Sequence, residues 1–254
     1  MGEVLPWLEK TKVDVLLMQE TKVVDDLFPE ESFAERGFQV SFSGQKTYNG
    51  VAIASRFPIE DVITDVPDWV DPERRILAAT IQGIRVVNLY VPNGAAVGAD
   101  KYHYKLRWLS KVTTFLHHQL VQYPKLLVAG DFNIAPKDLD VHAPLEWEGS
   151  VLVSAAERDA FDKILSLGLT DSFRQCHPDA TEYSWWDYRA ASFRRNRGLR
   201  IDHILLSEPL VSRCVDSQID KEPRGAERPS DHAPVWVGLD EGSQMKDSAI
   251  DLNS

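Results

Sequence analysis

The chain has 254 residues, 43% of them hydrophobic and 26% charged, with a net charge of −11. This is enough for one large domain, or at most two, with a sizeable core; the acidic balance argues against a broad nucleic-acid-coating surface but not against a local basic patch. The only cysteines, Cys176 and Cys214, are far apart in sequence and form no C-x-x-C spacing, which speaks against a disulfide framework or a zinc site and fits a reducing compartment.

No apolar run approaches membrane-spanning length and the N-terminus shows no signal-peptide core, so no membrane attachment is expected. Val4 to Glu9 has helical spacing. Val13 to Gln19 reads as a strand and ends in Glu20-Thr21-Lys22, where Glu20 is either a solvated terminus or a carboxylate at a sheet edge. Phe38 to Phe42 alternates with period two, Asn49-Gly50 is a hairpin turn signal, and Val51 to Ala54 is the returning strand. Ile76 to Ile81 and Ile84 to Val91 predict two strands joined across Gln82-Gly83. Tyr90 and Asn93 stand where the second of these meets a loop, positions that a packed Tyr and a turn Asn would also explain.

Lys101 to Tyr123 is the strongest predicted helix, with Leu106, Leu109, Leu116 and Leu120 on one face and Pro124 as its stop. A short buried strand from Lys125 to Ala129 follows and ends at Gly130, with Asp131 and Asn133 directly after it. If the backbone stays extended, those two side chains share a face; the competing reading is an Asx turn that closes the strand. Ser154-Ala-Ala-Glu157 predicts a capping box ahead of Phe161, Ile164 and Leu165, with Gly168 beyond the helix.

From Trp185 to Arg200 there are five arginines and one acid. Aromatics among arginines suit stacking on bases and pairing with phosphates, although buried tryptophans beside a solvated loop give the same pattern. Asp202 falls inside a predicted strand, where a charge needs a partner or a function. Asp231-His232 immediately precedes a closing strand. Residues 1–239 are expected to form one domain and 240–254 a polar flexible tail.

The polar strand ends are therefore Glu20, Tyr90 with Asn93, Asp131 with Asn133, Asp202, and Asp231 with His232. Oxygen donors with hardly any Cys or His suit a hard cation, Mg2+ with Mn2+ as a substitute, better than zinc. A hard cation with a His–Asp pair suits phosphodiester hydrolysis. A Ser–His–Asp acyl hydrolase is the rival, but the sequence has no G-x-S-x-G elbow.

The ordered set Leu17-Met-Gln-Glu20-Thr-Lys22, Gly50-Val-Ala, Tyr90-Val-Pro-Asn93, Gly130-Asp-Phe-Asn133, Gly198-Leu-Arg-Ile-Asp202 and Ser230-Asp-His232-Ala-Pro resembles the exonuclease III family. These are Mg2+-dependent DNA repair nucleases and apurinic/apyrimidinic (AP) endonucleases of the endonuclease/exonuclease/phosphatase superfamily. The stretches Ser184 to Arg189 and Asn196 to Asp202 look closest to the bacterial exonuclease III branch. The resemblance implies an α/β fold, a four-layer α/β/β/α sandwich.

It also implies Glu20 as principal metal ligand, with Asp231 and Asp131 joining it, and Asp131 and Asn133 at the attacking water. His232, oriented by Asp202, would contact the scissile phosphate. Tyr90 would hydrogen-bond that phosphate or assist the departing 3′-oxygen, and Asn93 would help hold it. Trp185 would line an abasic-sugar pocket, while Lys22, Lys46, Arg194, Arg195, Arg197 and the loop up to Arg200 would track the DNA backbone. The partner implied is double-stranded DNA with abasic sites or 3′ ends, bound by a cytoplasmic, nucleoid-associated monomer.

Family members begin with a strand carrying a Trp-Asn-Val-Asn-like motif. This sequence opens in the helix that follows, at Met1 to Trp7, and contains no Trp-Asn pair. The expected sandwich therefore lacks that strand and its metal-site Asn. Two alternatives stay open: a catalytically impaired relative binding DNA or a protein, and a phosphatase acting on a small molecule or lipid.

Overall fold

The computed structural model describes residues 2–67 and 69–240, so the expected tail, beyond Asp240, lies outside the described residues. Apolar side chains recur on both faces of the central strands, so those strands must be covered on both sides. Three strands form one sheet in the order β1 (Val15–Gln19), β3 (Val51–Ser55), β2 (Gln39–Ser43). Six form a second, in the order β4 (Glu60–Ile63), β5 (Ile76–Ile81), β6 (Ile84–Tyr90), β7 (Leu126–Asp131), β9 (Asp202–Ser207), β8 (Leu169–Asp171). The last two, β10 (Cys214–Ile219) and β11 (Val235–Leu239), pair with each other.

Period-two alternation sorts the side chains into layers. Leu77, Ala79, Leu127 and Ala129 point from the six-stranded sheet toward Val51, Ile53, Val235 and Val237 of the smaller sheets. Ile76, Ala78, Leu126 and Val128 point the other way, onto α3 (Asp100–Gln122) and α5 (Ala155–Leu165). On the outer side of β1–β3–β2, Ala54 meets Leu8 of α1 (Val4–Thr11) and Phe33 of α2 (Glu30–Ala34). The result is the four-layer α/β/β/α sandwich that the family resemblance implied.

The predicted hairpin at Gln82-Gly83 forms with positive φ at both residues, 52° and 69°, as a two-residue turn of the primed type requires. The capping box at Ser154 and Glu157 is present. On α3 the buried face is centred on Trp108, Leu109, Val112, Phe115 and Leu116 and includes Lys105, while Leu106 and Leu120 lie only at its margin. Sequence reading favoured the leucines and passed over the lysine because its charge masked the true centre of the stripe. Also unforeseen were β4, β8 and β10 and the short helices α4 (Pro144–Trp147), α6 (Ser172–Cys176) and α7 (Glu208–Val211). β4, β8 and the helices are too brief to show a period, and β10 is too polar to show one.

Among the described residues, β1 and β11 each pair on one side only, and both border a cavity of about 1970 Å³ floored by Ile81, Val86 and Leu127. No described helix is long and apolar enough to cross a membrane.

Candidate active site

Strand register assembles the site. β6 and β7 pair in parallel with Tyr90 opposite Asp131, and β7 and β9 pair antiparallel with Asp131 opposite Asp202. Three side chains far apart in sequence thus stand abreast at one end of the sheet, since register partners project to the same face. Gly130 makes this possible. Its φ is +141° and a Cβ there would stand 2.0 Å from the Leu89 carbonyl oxygen, so only glycine lets β7 lie this close to β6 as it delivers Asp131.

Beyond Asp131 the backbone does not stay extended: Asn133 is left-handed, φ +50°. Its backbone N–H donates to Asp131 Oδ1 at 2.8 Å and its side-chain amide to Oδ2 at 2.9 Å. The Asx turn and the candidate site are one structure, not rival readings. Asn93 Nδ2 donates to Asn133 Oδ1 at 3.1 Å, joining the loops that follow β6 and β7.

His232 Nδ1–H donates to Asp202 Oδ2 at 2.9 Å, and its Nε2 stands 3.9 Å from Asp131 Oδ2, beyond a direct hydrogen bond. Burial would discharge the imidazole, but Asp202, Asp131 and Asp231 outweigh it and raise its pKa to about 10. Burial drives Asp131 up to about 7, against the pull of His232. Tyr90 is half-buried, and its phenol is held well above its ordinary value by burial and by the Glu20 and Asp131 carboxylates, so it stays a donor. Arg75 lies 4.7 Å over the Tyr90 ring and fixes it.

Asp131, Asp202 and His232 offer ligand atoms within 4.8 Å of one another. Glu20 and Asp231 fall outside that group. Glu20 sits on an exposed left-handed turn beside Lys22, at 3.2 Å, and Asp231 accepts from the Trp185 indole N–H at 2.9 Å. Lys46, Arg194, Arg195 and Arg197 are exposed. Arg200 is not a surface residue as expected: it is buried and paired to Asp140 at 2.7 Å and to both oxygens of Asp171. It braces the chain two residues before Asp202.

Sequence reading missed several supports. Ser184 Oγ donates to Asp202 Oδ2 at 2.6 Å and accepts the N–H groups of Ile201 and Asp202. Lys105, fully buried and paired with Glu157, donates to the carbonyl of Asn133 at 2.6 Å and of Asn93 at 3.2 Å. His203 Nε2–H donates to the Ile134 carbonyl at 2.9 Å while Nδ1 accepts from Arg200; burial and Arg200 lower its pKa to about 4, so it is neutral. For Lys105 and His203 the available signal was a polar residue at a helix or strand position that should be apolar; Ser184, in a loop, carried none.

Residues 1–232 match the endonuclease/exonuclease/phosphatase family. The chain is 36% identical to exodeoxyribonuclease III of Haemophilus influenzae over 91% of each sequence. Among solved structures it resembles the 3′ phosphatase NExo from Neisseria bound to a product DNA hairpin, with TM-score 0.92, 44% identity and coverage of 94% of this chain and 93% of that one. It also resembles an AP endonuclease from Archaeoglobus fulgidus, with TM-score 0.90, 42% identity and 93% coverage of both chains.

Proposed function

The chain belongs to the endonuclease/exonuclease/phosphatase family, in its exonuclease III group, and from that premise we propose that it is a Mg2+-dependent DNA repair nuclease, acting in the cytoplasm as a monomer, that incises 5′ to abasic sites and degrades duplex 3′ ends. The observation that carries this reading is the line Asp202–His232–Asp131, a charged imidazole held from behind by one carboxylate and facing a second across 3.9 Å.

The donor set fits a hard cation. The ligands we assign to Mg2+ are those the family resemblance implies, Glu20 with Asp131 and Asp231, while both Asp202 oxygens are engaged by His232 and one also by Ser184. The ion would supply charge neutralisation at the phosphoryl oxygens. Asp131, with a raised pKa and Asn133 fixing its carboxylate, is suited to orient a water and accept its proton. His232 Nε2–H supplies a charged donor to a phosphoryl oxygen as negative charge builds. Tyr90 O–H would donate to the phosphate or the departing 3′-oxygen, and Asn93, bonded to Asn133, would help hold the phosphate. Trp185, tied to Asp231, would line a pocket for an extruded sugar, and Lys22, Lys46, Arg194, Arg195 and Arg197 would contact the DNA backbone.

A second reading, removal of a 3′ phosphate from DNA, is favoured by the Neisseria structure and calls on the same groups. The test uses one protein and three duplexes, carrying an internal abasic analogue, a recessed 3′ hydroxyl end and a 3′ phosphate, each with Mg2+ and with EDTA. Mg2+-dependent incision at the abasic analogue is the expected result. Binding without any cleavage would overturn the enzyme reading in favour of a DNA-binding relative, and hydrolysis of the 3′ phosphate alone would favour the second.

A further inference from the structure

The chain has two cysteines in 254 residues, and the fold brings them together. Cys176 ends α6 and Cys214 begins β10, 38 residues on, with their sulfurs 3.8 Å apart. Both are free thiols and both are partly exposed. That distance is thiol contact, and closing it to a bond needs a movement of under two ångströms spread over two side chains (an S–S bond is about 2.05 Å).

Their surroundings already dock α6 on β10. Ser172 and Ser217 share a hydrogen bond at 2.8 Å, and His177 Nε2 lies 3.4 Å from Asp216. This contact joins two separate sheets. Asp171, the last residue of β8 in the six-stranded sheet and the N-cap of α6, grips Arg200 just ahead of β9, whereas among the described residues β10 pairs only with β11, the strand that follows His232.

We propose that Cys176 and Cys214 form a reversible disulfide that staples the two-stranded sheet to the six-stranded one. The co-reactant is a peroxide. Cys214 keeps its proton to about 11, because burial and the neighbouring Cys176 sulfur both disfavour its thiolate, so Cys176 reacts first. Its thiolate attacks the peroxide O–O bond, forms S–O and releases hydroxide, a two-electron oxidation of sulfur. The Cys214 sulfur then attacks that sulfur, S–S forms, S–O breaks, and the oxygen leaves as water with the thiol proton. In sum, two thiols and hydrogen peroxide give one disulfide and two waters, and a dithiol reductant reverses it.

The staple closes a long loop in the unfolded chain and therefore stabilises the fold. It is tested by treating the reduced protein with hydrogen peroxide, counting free thiols, measuring intact mass and recording thermal unfolding. Expected are loss of both thiols together, a monomer lighter by two hydrogens, a rise in Tm on the order of 5–10 °C, and reversal by dithiothreitol. Cys176→Ser and Cys214→Ser should each abolish the Tm rise. Thiols that persist after peroxide, a covalent dimer, single-site sulfinic acid, or a disulfide with unchanged or lower Tm would each overturn the proposal. None of these outcomes depends on nuclease activity.

Discussion

Asp131 is a buried carboxylate whose two oxygens are both engaged by Asn133, yet it faces an imidazolium rather than an arginine. A purely structural acid in this position would be neutralised by its nearest cation, as Asp140 and Asp171 are by Arg200, and held below its ordinary pKa. Asp131 is instead raised. Asp131→Asn and His232→Gln should therefore lower incision by roughly 10²–10⁴-fold with thermal unfolding little changed; turnover near wild type in either would remove that residue from the mechanism. Lys105→Met should cost roughly 3–5 kcal/mol, because Glu157 would be left buried and unpaired, and Lys105→Met/Glu157→Gln should recover part of it. A single variant as stable as wild type in urea would contradict that account. Glycine at 130 was legible as a strand end, but its reason, a carbonyl where a Cβ would stand, became visible only once β6 lay alongside.

At the scale of elements, Tyr183 to Arg200 divides its duties. Trp186 is fully buried, packed edge-on against Phe193 at 5.1 Å, with Arg224 among the surrounding aromatics. Trp185 is threaded between Leu199 and His232 by isolated bridges, so this segment holds the His232 loop in place. Of the two sequence readings of the aromatic–arginine stretch, the buried one holds for the second tryptophan; four arginines are exposed, Arg189 paired to Asp187 and the other three, Arg194, Arg195 and Arg197, proposed as phosphate contacts. If those three contact phosphates, Arg194→Ala/Arg195→Ala/Arg197→Ala should weaken duplex binding and flatten the plot of log K against log salt by about 0.9 per lost contact, with a smaller effect on the chemical step. A slope equal to wild type would mean that DNA takes another path. The strands and helices with a clear period were legible in sequence; β8 and α6 were not, being three and five residues held by neighbours, nor was β10, whose Cys-Val-Asp-Ser-Gln-Ile carries no apolar alternation.

For the whole molecule, two histidines in one fold show how environment sets charge. His203 is neutral and lowered to about 4, so it contributes stability that is complete above its unfolded pKa of 6.5 and is lost as the pH falls from there to about 4. Asp131, raised to about 7, acts in the opposite sense over the same range, so the informative quantity is the stability difference between wild type and His203→Gln. That difference should shrink by about 3 kcal/mol between pH 6.5 and 4, as read from urea midpoints; a constant difference would show that His203 does not titrate as its burial dictates. Sequence alone determined the strand-rich α/β plan, the oxygen-donor chemistry and the ordered polar strand ends, because alternation, caps and turn residues are local and a charge at a strand end is conspicuous. Tertiary structure decided the rest. It placed Tyr90, Asp131 and Asp202 in one register, moved Arg200 from surface to interior, put Lys105 beneath two loops and brought two distant cysteines into contact, since register, burial and pairing depend on which chain segments meet across the sheets.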